Sequence, residues 1–181
     1  MITDSPLPGL KIIQLKSHED NRGFFIEYFN KKTFSDLGLP LEYFQDNYSF
    51  SLPRVLRGLH YQENPSQAKF ITCTRGQIYD VTVDIRKNSP TFGQHFGYEL
   101  SASNAQALLI PAGFAHGFCV IGDEPAEVFY KVDNAYNKES ESGIIYNDES
   151  LGIKWPIKNP IISQKDSQLK KFSEYKKNPV F

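Results

Sequence analysis

Hydrophobic positions between residues 10 and 146 fall in short runs that turn-forming residues separate. In the clearest run every second residue from Tyr79 to Ile85 is apolar or aromatic, and the residues between them include Asp80 and Asp84. This period of two is the pattern of a β-strand. Runs of this type predict strands at 10–15, 24–29, 43–50, 55–61, 69–74, 77–85, 96–100, 107–110, 117–121 and 128–132. Their number and spacing indicate an all-β sandwich or barrel.

Turn and helix signals complete this outline. Turn residues stand at Gly76 and in the segments 88–90, 111–113 and 122–125. Helical patterns are weak and predict short helices only at 31–37 and 165–172, while 148–159 has the composition of a polar connector. The sequence contains no internal repeat, no low-complexity tract and no sign of a second domain. Residues 1–181 are therefore predicted to form one domain.

Composition and charge limit the classes of partner and the cellular location that we expect for the protein. With 40% hydrophobic and 23% charged residues the chain is not intrinsically disordered. Lys and Arg total 20 against 21 Asp and Glu, so no broad basic face for nucleic acid is expected. No apolar run approaches the ~20 residues of a membrane-spanning helix, and the first residues lack the features of a signal peptide. We expect a cytoplasmic protein with no nucleic-acid or membrane partner.

Two histidines beside glycine-containing turns are the candidates for chemistry. His60 lies three residues after Arg57 in a predicted strand, and His116 follows the turn at 111–113. Residues three apart on a strand face opposite sides, so Arg57 and His60 can reach one pocket only if Gly58 permits a β-bulge. The alternative is that both histidines are structural residues of a strand and a turn.

The sequence does not favour a metal site. Metal-binding β-barrels of the cupin type carry a His-x-His pair, but Tyr61 and Gln62 follow His60 and are poor zinc ligands. Cys73 and Cys119 lie in apolar runs with no second Cys or His at zinc-ligand spacing, so we expect both to be buried thiols. No metal is therefore predicted.

Without a metal, a histidine in a barrel mouth is best suited to act as a general base. The ordinary pKa of a histidine, near ~6.5, leaves an imidazole able to accept a proton near pH 7, and a hydrogen-bonded carboxylate can fix its tautomer. Asp80, Asp84 and Asp166 are all possible partners. Sequence spacing alone does not choose among these three carboxylates.

Ordered motifs along the chain carry a family resemblance. They occupy residues 21–27, 45–49, 56–62, 67–69, 83–86, 89–93, 110–118, 130–131, 136 and 163–166. In this order they resemble the dTDP-4-dehydrorhamnose 3,5-epimerases along nearly the whole chain. The resemblance implies a cupin-like jelly-roll β-barrel with short peripheral helices that is homodimeric, metal-free and independent of any cofactor. The implied activity inverts carbons 3 and 5 of a 4-keto-6-deoxyhexose attached to thymidine diphosphate.

The same resemblance implies roles for four catalytic residues. His60 is similar to the family's base, and Asp166 to the carboxylate that partners it. Tyr130 resembles the proton donor on the opposite face of the sugar, which inversion requires. Lys69 resembles the cation that stabilises the enolate oxygen, as a donor in an oxyanion hole does.

The resemblance also implies a substrate-binding set. Tyr136 resembles a ring that stacks near the thymidine, and Arg22 and Glu27 resemble residues that reach into the neighbouring subunit's site. Arg22 and Arg57 have the forked guanidinium group that suits diphosphate oxygens. The full set implied is Arg22, Glu27, Gln45, Asp46, Asn47, Arg57, His116, Tyr136, Glu141 and Lys165.

Two other functions stay open at the level of sequence. The same base, acid and lysine would serve an epimerase that inverts carbon 3 only or carbon 5 only, or one that takes another nucleotide. A non-catalytic sugar-binding barrel would keep the fold, but we would expect it to have lost at least one of His60, Lys69, Tyr130 and Asp166.

Overall fold

A computed structural model describes residues 1–40 and 42–181. Within these residues thirteen strands and three short helices follow one another. The strands are β1 (Ile2–Asp4), β2 (Lys11–Gln14), β3 (Ser17–Asp20), β4 (Gly23–Ile26), β5 (Gln45–Ser51), β6 (Leu56–Gln62), β7 (Lys69–Arg75), β8 (Gln77–Asp84), β9 (His95–Ser101), β10 (Gln106–Ile110), β11 (Phe114–Val120), β12 (Ala126–Val132) and β13 (Glu141–Gly143). The helices are α1 (Lys31–Asp36), α2 (Gln164–Ser167) and α3 (Phe172–Tyr175).

The strands form two antiparallel sheets that enclose one core. The six-stranded sheet has the order β1-β2-β10-β7-β12-β5, and the five-stranded sheet has the order β13-β6-β11-β8-β9. Ile71 of the first sheet packs in one cluster with Ile78 and Phe118 of the second, so the core lies between the sheets. Strands β3 and β4 form a separate hairpin. This architecture confirms the predicted all-β, cupin-like fold.

Strand β8 turns its polar side inward. Val81 and Val83 of this strand, and Ile85 directly after it, pack in a second cluster with Phe172 and Tyr175 of the C-terminal segment, on the outside of the five-stranded sheet. The alternate positions, which carry the acidic residues of this strand, therefore point between the sheets. The structure buries these carboxylates because the C-terminal segment covers the apolar face of the strand.

Some boundaries differ from the sequence prediction. Strands β1 and β13 have three residues each and β3 has four, which is too short to show a period of two, and the sequence analysis did not predict them. The predicted strand at 24–29 ends at Ile26. The predicted helix at 165–172 is two single turns, α2 and α3, because Lys170 between them bridges Ile144 in the parallel sense.

Three smaller expectations concern cysteines, metals and membranes. Cys73 and Cys119 are buried as predicted, and burial raises the pKa of the first thiol to about 11 and of the second to about 12. Across residues 1–40 and 42–181, no three His, Cys, Asp or Glu side chains are grouped so that they could hold a metal ion. Nor does any helix of that part of the chain have the length and apolar character needed to cross a membrane.

Asp84 closes the loop that follows β8. Its fully buried carboxylate accepts hydrogen bonds from Nη2 of Arg86 at 2.7 Å and from the hydroxyl groups of Ser89 and Thr91 at 2.5 and 2.6 Å. These residues belong to the motifs at 83–86 and 89–93. In this structure those motifs therefore form a buried polar network that holds the loop.

We predict that Asp84→Asn lowers the free energy of unfolding by about 2–4 kcal/mol at pH 7. Burial disfavours the charged carboxylate, but the hydrogen bonds from Arg86, Ser89 and Thr91 lower its pKa from 3.8 to about 2. A lowered pKa stabilises the folded protein above the ordinary value, and this contribution disappears as the pH falls from about 4 to about 2. Urea unfolding at several pH values measures the effect.

The exposed pair of Asp4 with Lys11 provides the control for this prediction. Asp4→Asn should leave the free energy of unfolding within about 0.5 kcal/mol of the wild type, since exposed ion pairs contribute little. A deficit of Asp84→Asn that stays constant between pH 7 and pH 2.5 would contradict the assignment.

Candidate active site

A β-bulge brings both ends of the Arg57–His60 segment to one cavity. His116 of β11 pairs with His60 of β6, but the next pair lies two residues on along β11 and three residues back along β6. Gly58 sits in this bulge with a φ of 122°, and a Cβ there would lie 2.6 Å from the Cα of Gly117. Only glycine fits that space and that conformation. The predicted bulge is confirmed, and Arg57 and His60 line the same cavity.

His60 forms a hydrogen-bonded pair with Asp166. Its Nε2 lies 2.7 Å from Oδ1 of Asp166, while Oδ2 accepts the backbone N–H of Gly58 at 3.2 Å. Burial opposes the charge on Asp166, but the hydrogen bonds from His60, Gly58 and Ser163 hold its pKa below the ordinary value. The ionised carboxylate accepts a hydrogen bond from Nε2–H. It leaves Nδ1 of His60 as the nitrogen that can receive a proton.

The structure thus identifies Asp166 as the partner of His60 among the three candidate carboxylates. Asp80 Oδ2 lies 2.7 Å from Nε2 of His116, and Asp84 pairs with Arg86. Asp166 is 106 residues from His60 along the chain and comes close only because α2 packs beside β6. No local pattern could have shown this pairing.

The cavity lies between the two sheets and has a volume of about 520 Å³. It adjoins a second cavity of about 280 Å³, and His60, Lys69, Tyr130 and Glu141 line both. Of the other residues predicted to contact substrate, the larger cavity is lined by Arg57, His116 and Lys165 and the smaller by Gln45, Asn47 and Tyr136. Most of the predicted set therefore lies along one cleft.

Base and acid candidates stand on opposite walls of this cleft. His60 is on β6 of the five-stranded sheet, whereas Tyr130 is on β12 and Lys69 on β7 of the six-stranded sheet. A sugar ring bound between the sheets would present one face to His60 and the other to Tyr130. Inversion at a carbon atom needs such an arrangement, because a proton returned to its original face restores the original configuration.

Burial tunes the two groups on the six-stranded sheet. It raises the pKa of Tyr130 above its ordinary value, against the opposing charge of Arg57, so the phenol keeps its proton at neutral pH. Burial lowers the pKa of Lys69, while the negative charges of Asp80 and Glu141 act in the other direction. Tyr130 is therefore suited to donate a proton, and Lys69 to contact a negatively charged oxygen.

A small network forms the rim of the smaller cavity. Glu141 accepts a hydrogen bond from the phenol of Tyr136 at 2.6 Å and ion-pairs with Lys165. Burial opposes the charge on Glu141, but the bonds from Lys165 and Tyr136 keep its pKa below the ordinary value. Tyr136 is 52% exposed, so its ring is open to a flat ligand.

Three residues of the predicted binding set do not line either cavity. Asp46 points to the outer face of β5, where it pairs with Lys131 at 2.7 Å, because Gln45 and its alternate neighbours take the inner face. Arg22 is exposed at the turn of the β3–β4 hairpin, and Glu27 follows that hairpin and accepts a hydrogen bond from the N-cap residue of α1. Within a single chain these three side chains lie outside the cleft.

The sequence analysis missed some residues of the cleft. It did not connect Asp80 with His116, although the period of two in β8 puts Asp80 on the side opposite the apolar positions. Ser49 and Ile71 also line the larger cavity. Both are unremarkable strand residues, and no sequence signal distinguishes them.

Comparison with known proteins agrees with this geometry. Residues 4–174 match the family model described as dTDP-4-dehydrorhamnose 3,5-epimerase. The curated enzyme of that name from Shigella flexneri is 49% identical over 173 residues, which cover 94% of this chain and 95% of the relative.

Solved structures are similar over the same length. The dTDP-6-deoxy-D-glucose-3,5-epimerase of Legionella pneumophila, in complex with dTDP-4-keto-L-rhamnose, has a TM-score of 0.91 at 43% identity and covers 96% of this chain and 93% of its own. The dTDP-4-dehydrorhamnose 3,5-epimerase of Bacillus anthracis, with TDP and PPi bound, has a TM-score of 0.90 at 44% identity. The match covers 94% of this chain and 98% of the Bacillus chain. The chain therefore belongs to the dTDP-4-dehydrorhamnose 3,5-epimerase family, a family of isomerases.

Proposed function

We propose that residues 1–181 act as one catalytic domain and that the cleft inverts carbons 3 and 5 of a dTDP-linked 4-keto-6-deoxyhexose. The observation that carries the proposal is the placement of His60 and Tyr130 on opposite walls of one cavity, with Lys69 on the strand next to that of Tyr130. The ketone at carbon 4 makes the protons on both neighbouring carbons removable. One set of residues can therefore serve both positions.

The first step would be removal of a proton by His60. The electron pair of the broken C–H bond moves toward carbon 4, and the carbonyl π pair moves onto its oxygen, which becomes an enolate oxygen. Asp166 stabilises the imidazolium that forms, because the 2.7 Å contact with Nε2 becomes an ion pair. Lys69 stabilises the enolate oxygen as a positioned cation, the type of contribution that is usually largest in such reactions.

The second step would be protonation from the other wall. Tyr130 gives its phenolic proton to the carbon, the enolate electrons form the new C–H bond, and the carbonyl is restored with inverted configuration. At this point His60 holds one extra proton and Tyr130 lacks one. Exchange with water returns both groups to their starting states before the second carbon reacts.

The nucleotide would occupy the smaller cavity and its rim. Tyr136 offers an exposed ring for stacking on a base, and Gln45 and Asn47 offer amide groups on the adjacent wall. Arg57 lines the larger cavity at the exposed end of the bulge, where a guanidinium fork can bind diphosphate oxygens. His116 and Lys165 line the same cavity and are the further polar contacts that we assign to the substrate.

A homodimer is part of this proposal. The β3–β4 hairpin joins neither sheet, and its Phe24 and Phe25 are 61% and 66% exposed. Tyr48 and Phe50 on the outer face of the edge strand β5 are also exposed. We propose that two copies cover these aromatic surfaces, which would let Arg22 and Glu27 reach the other copy's cleft. Sedimentation velocity tests this, and a mass of one chain would contradict it.

Solvent exchange tests the activity directly. The protein is incubated with dTDP-4-keto-6-deoxyglucose in D₂O and followed by NMR. We expect deuterium to enter at carbons 3 and 5, with new resonances of the doubly inverted sugar. Exchange at one carbon would identify a 3-only or 5-only epimerase, and binding without exchange would identify a sugar-binding barrel. A control sample without protein measures spontaneous exchange. The cytoplasmic location stays a prediction that cell fractionation can test.

A further inference from the structure

His116, which lines the larger cavity, belongs to a second histidine–carboxylate pair. Nε2 of His116 is 2.7 Å from Oδ2 of Asp80, and Asp80 is completely buried. Asp80 faces the interior because it pairs with Phe118 of β11, whose ring belongs to the core cluster between the sheets. The steps proposed above use neither the charge nor the position of Asp80.

The carboxylate of Asp80 is incompletely paired. Among the described residues Oδ1 has no hydrogen-bond partner, and neither has the hydroxyl group of Thr82 on the same face of β8. Asp84, the other buried carboxylate of this strand, has both oxygens bonded. A buried, half-paired carboxylate is costly for a fold, so a purely structural role explains Asp84 but not Asp80.

The other carboxylates at the cleft are already engaged. Asp166 bonds to His60 and to the backbone of Gly58, and Glu141 ion-pairs with Lys165. Asp80 lines neither cavity but contacts the cleft through His116, and of these three carboxylates it is the one whose charge is least used by its neighbours. The remaining charged or titratable groups that line the cavities, besides Lys69, are Arg57, Tyr61, His116, Tyr130 and Tyr136.

Lys69 is the cation toward which this charge is directed. It lines both cavities from the opposite sheet, and no carboxylate of residues 1–40 or 42–181 lies within ion-pair distance of its Nζ. Burial lowers the pKa of Lys69, and Asp80 is the stronger of the two carboxylates that oppose this shift. A lysine that contacts an enolate must carry its proton when the substrate arrives.

We propose that Asp80 is a positioning residue of the active site, which orients the ring of His116 and whose buried, half-paired carboxylate supplies the negative charge that acts on Lys69. The catalytic part of this role rests on the proposed epimerisation. The effect of Asp80 on Lys69 does not rest on the epimerisation, because it exists in the protein without substrate. The proposed role of Asp80 and the proposed epimerase activity can therefore be disproved independently.

The test compares Asp80→Asn with the wild type by NMR of protein labelled at lysine Cε. The resonance of Lys69 is assigned by its loss in Lys69→Arg, and its midpoint of titration is measured in the absence of substrate. We expect Asp80→Asn to lower this midpoint by about one pH unit or more, as loss of a nearby opposite charge does. In the same variant kcat should fall about 10- to 100-fold, and the alkaline limb of kcat against pH should move in the same direction.

Asp84→Asn is the matched control, since it removes a second buried carboxylate from the same strand. It should lower stability but leave the midpoint of Lys69 and the shape of the pH profile unchanged. An unchanged Lys69 midpoint in folded Asp80→Asn would overturn the proposal, whatever happens to kcat. If that variant does not fold, Glu141→Gln decides, because Glu141 is the other carboxylate that acts on Lys69. A fall of the Lys69 midpoint by less than about half a pH unit in Glu141→Gln supports Asp80 as the source of the charge, and a larger fall would overturn the proposal.

Discussion

Replacing His60 by alanine should lower turnover at least ~10³-fold while substrate affinity changes little. The imidazole of His60 lines the cleft on the wall opposite Tyr130, and Asp166 is bonded to it at 2.7 Å. A base acts on the chemical step, so its loss affects the transition state more than the bound ground state. Steady-state kinetics and a separate measurement of substrate binding give the two quantities.

His95→Ala is a suitable control for this prediction. His95 is exposed on β9 and lies outside both cavities. That variant should keep wild-type turnover. If His60→Ala retains a tenth of the wild-type rate, another group removes the proton and the pair with Asp166 is structural.

The variant Tyr130→Phe should separate proton removal from inversion. His60 remains, so the enolate can still form, but the proton donor on the six-stranded sheet is lost. Deuterium from D₂O should therefore enter at carbons 3 and 5 with retained configuration, because His60 returns a proton to the face it came from. Overall epimerisation should fall ~10²–10⁴-fold, the usual contribution of a positioned general acid.

The Tyr130→Phe substitution is not expected to disturb folding. Phenylalanine keeps the ring that packs against the core cluster between the sheets. Tyr98→Phe removes another phenol, one that bonds to Gln106 on the far side of the fold, and should leave activity unchanged. Wild-type epimerisation by Tyr130→Phe would show that Tyr130 is a packing residue, and Tyr136 would then be the next donor to test.

Several features of the site follow from local sequence alone. The period of two in 77–85 predicts β8, and the turn residues around the other runs predict most of the remaining strands. Gly58 between Arg57 and His60 predicts the bulge, because a strand of regular pleat could not turn both side chains to one side. Strand period and bulge depend on neighbouring residues, so a single sequence contains the information.

The pairings in the site depend on the tertiary structure. Asp166 becomes the partner of His60 across 106 residues because α2 packs against β6, and nothing near His60 distinguishes it from Asp80. The inward position of Asp80 depends on the C-terminal segment that covers the apolar side of β8. Alternation shows that a strand has two different faces, but only packing decides which of them is the interior.

What the sequence by itself determined is therefore the class of fold, most strands and the residue types of the active site, through local pattern and family resemblance. Only the tertiary structure decided that His60 and Tyr130 stand on opposite walls and that His116 pairs with a buried, half-paired carboxylate. The physical reason is that strand formation follows from neighbouring residues. Distances between strands of two sheets follow from sheet order and register, which the packing of the whole chain sets.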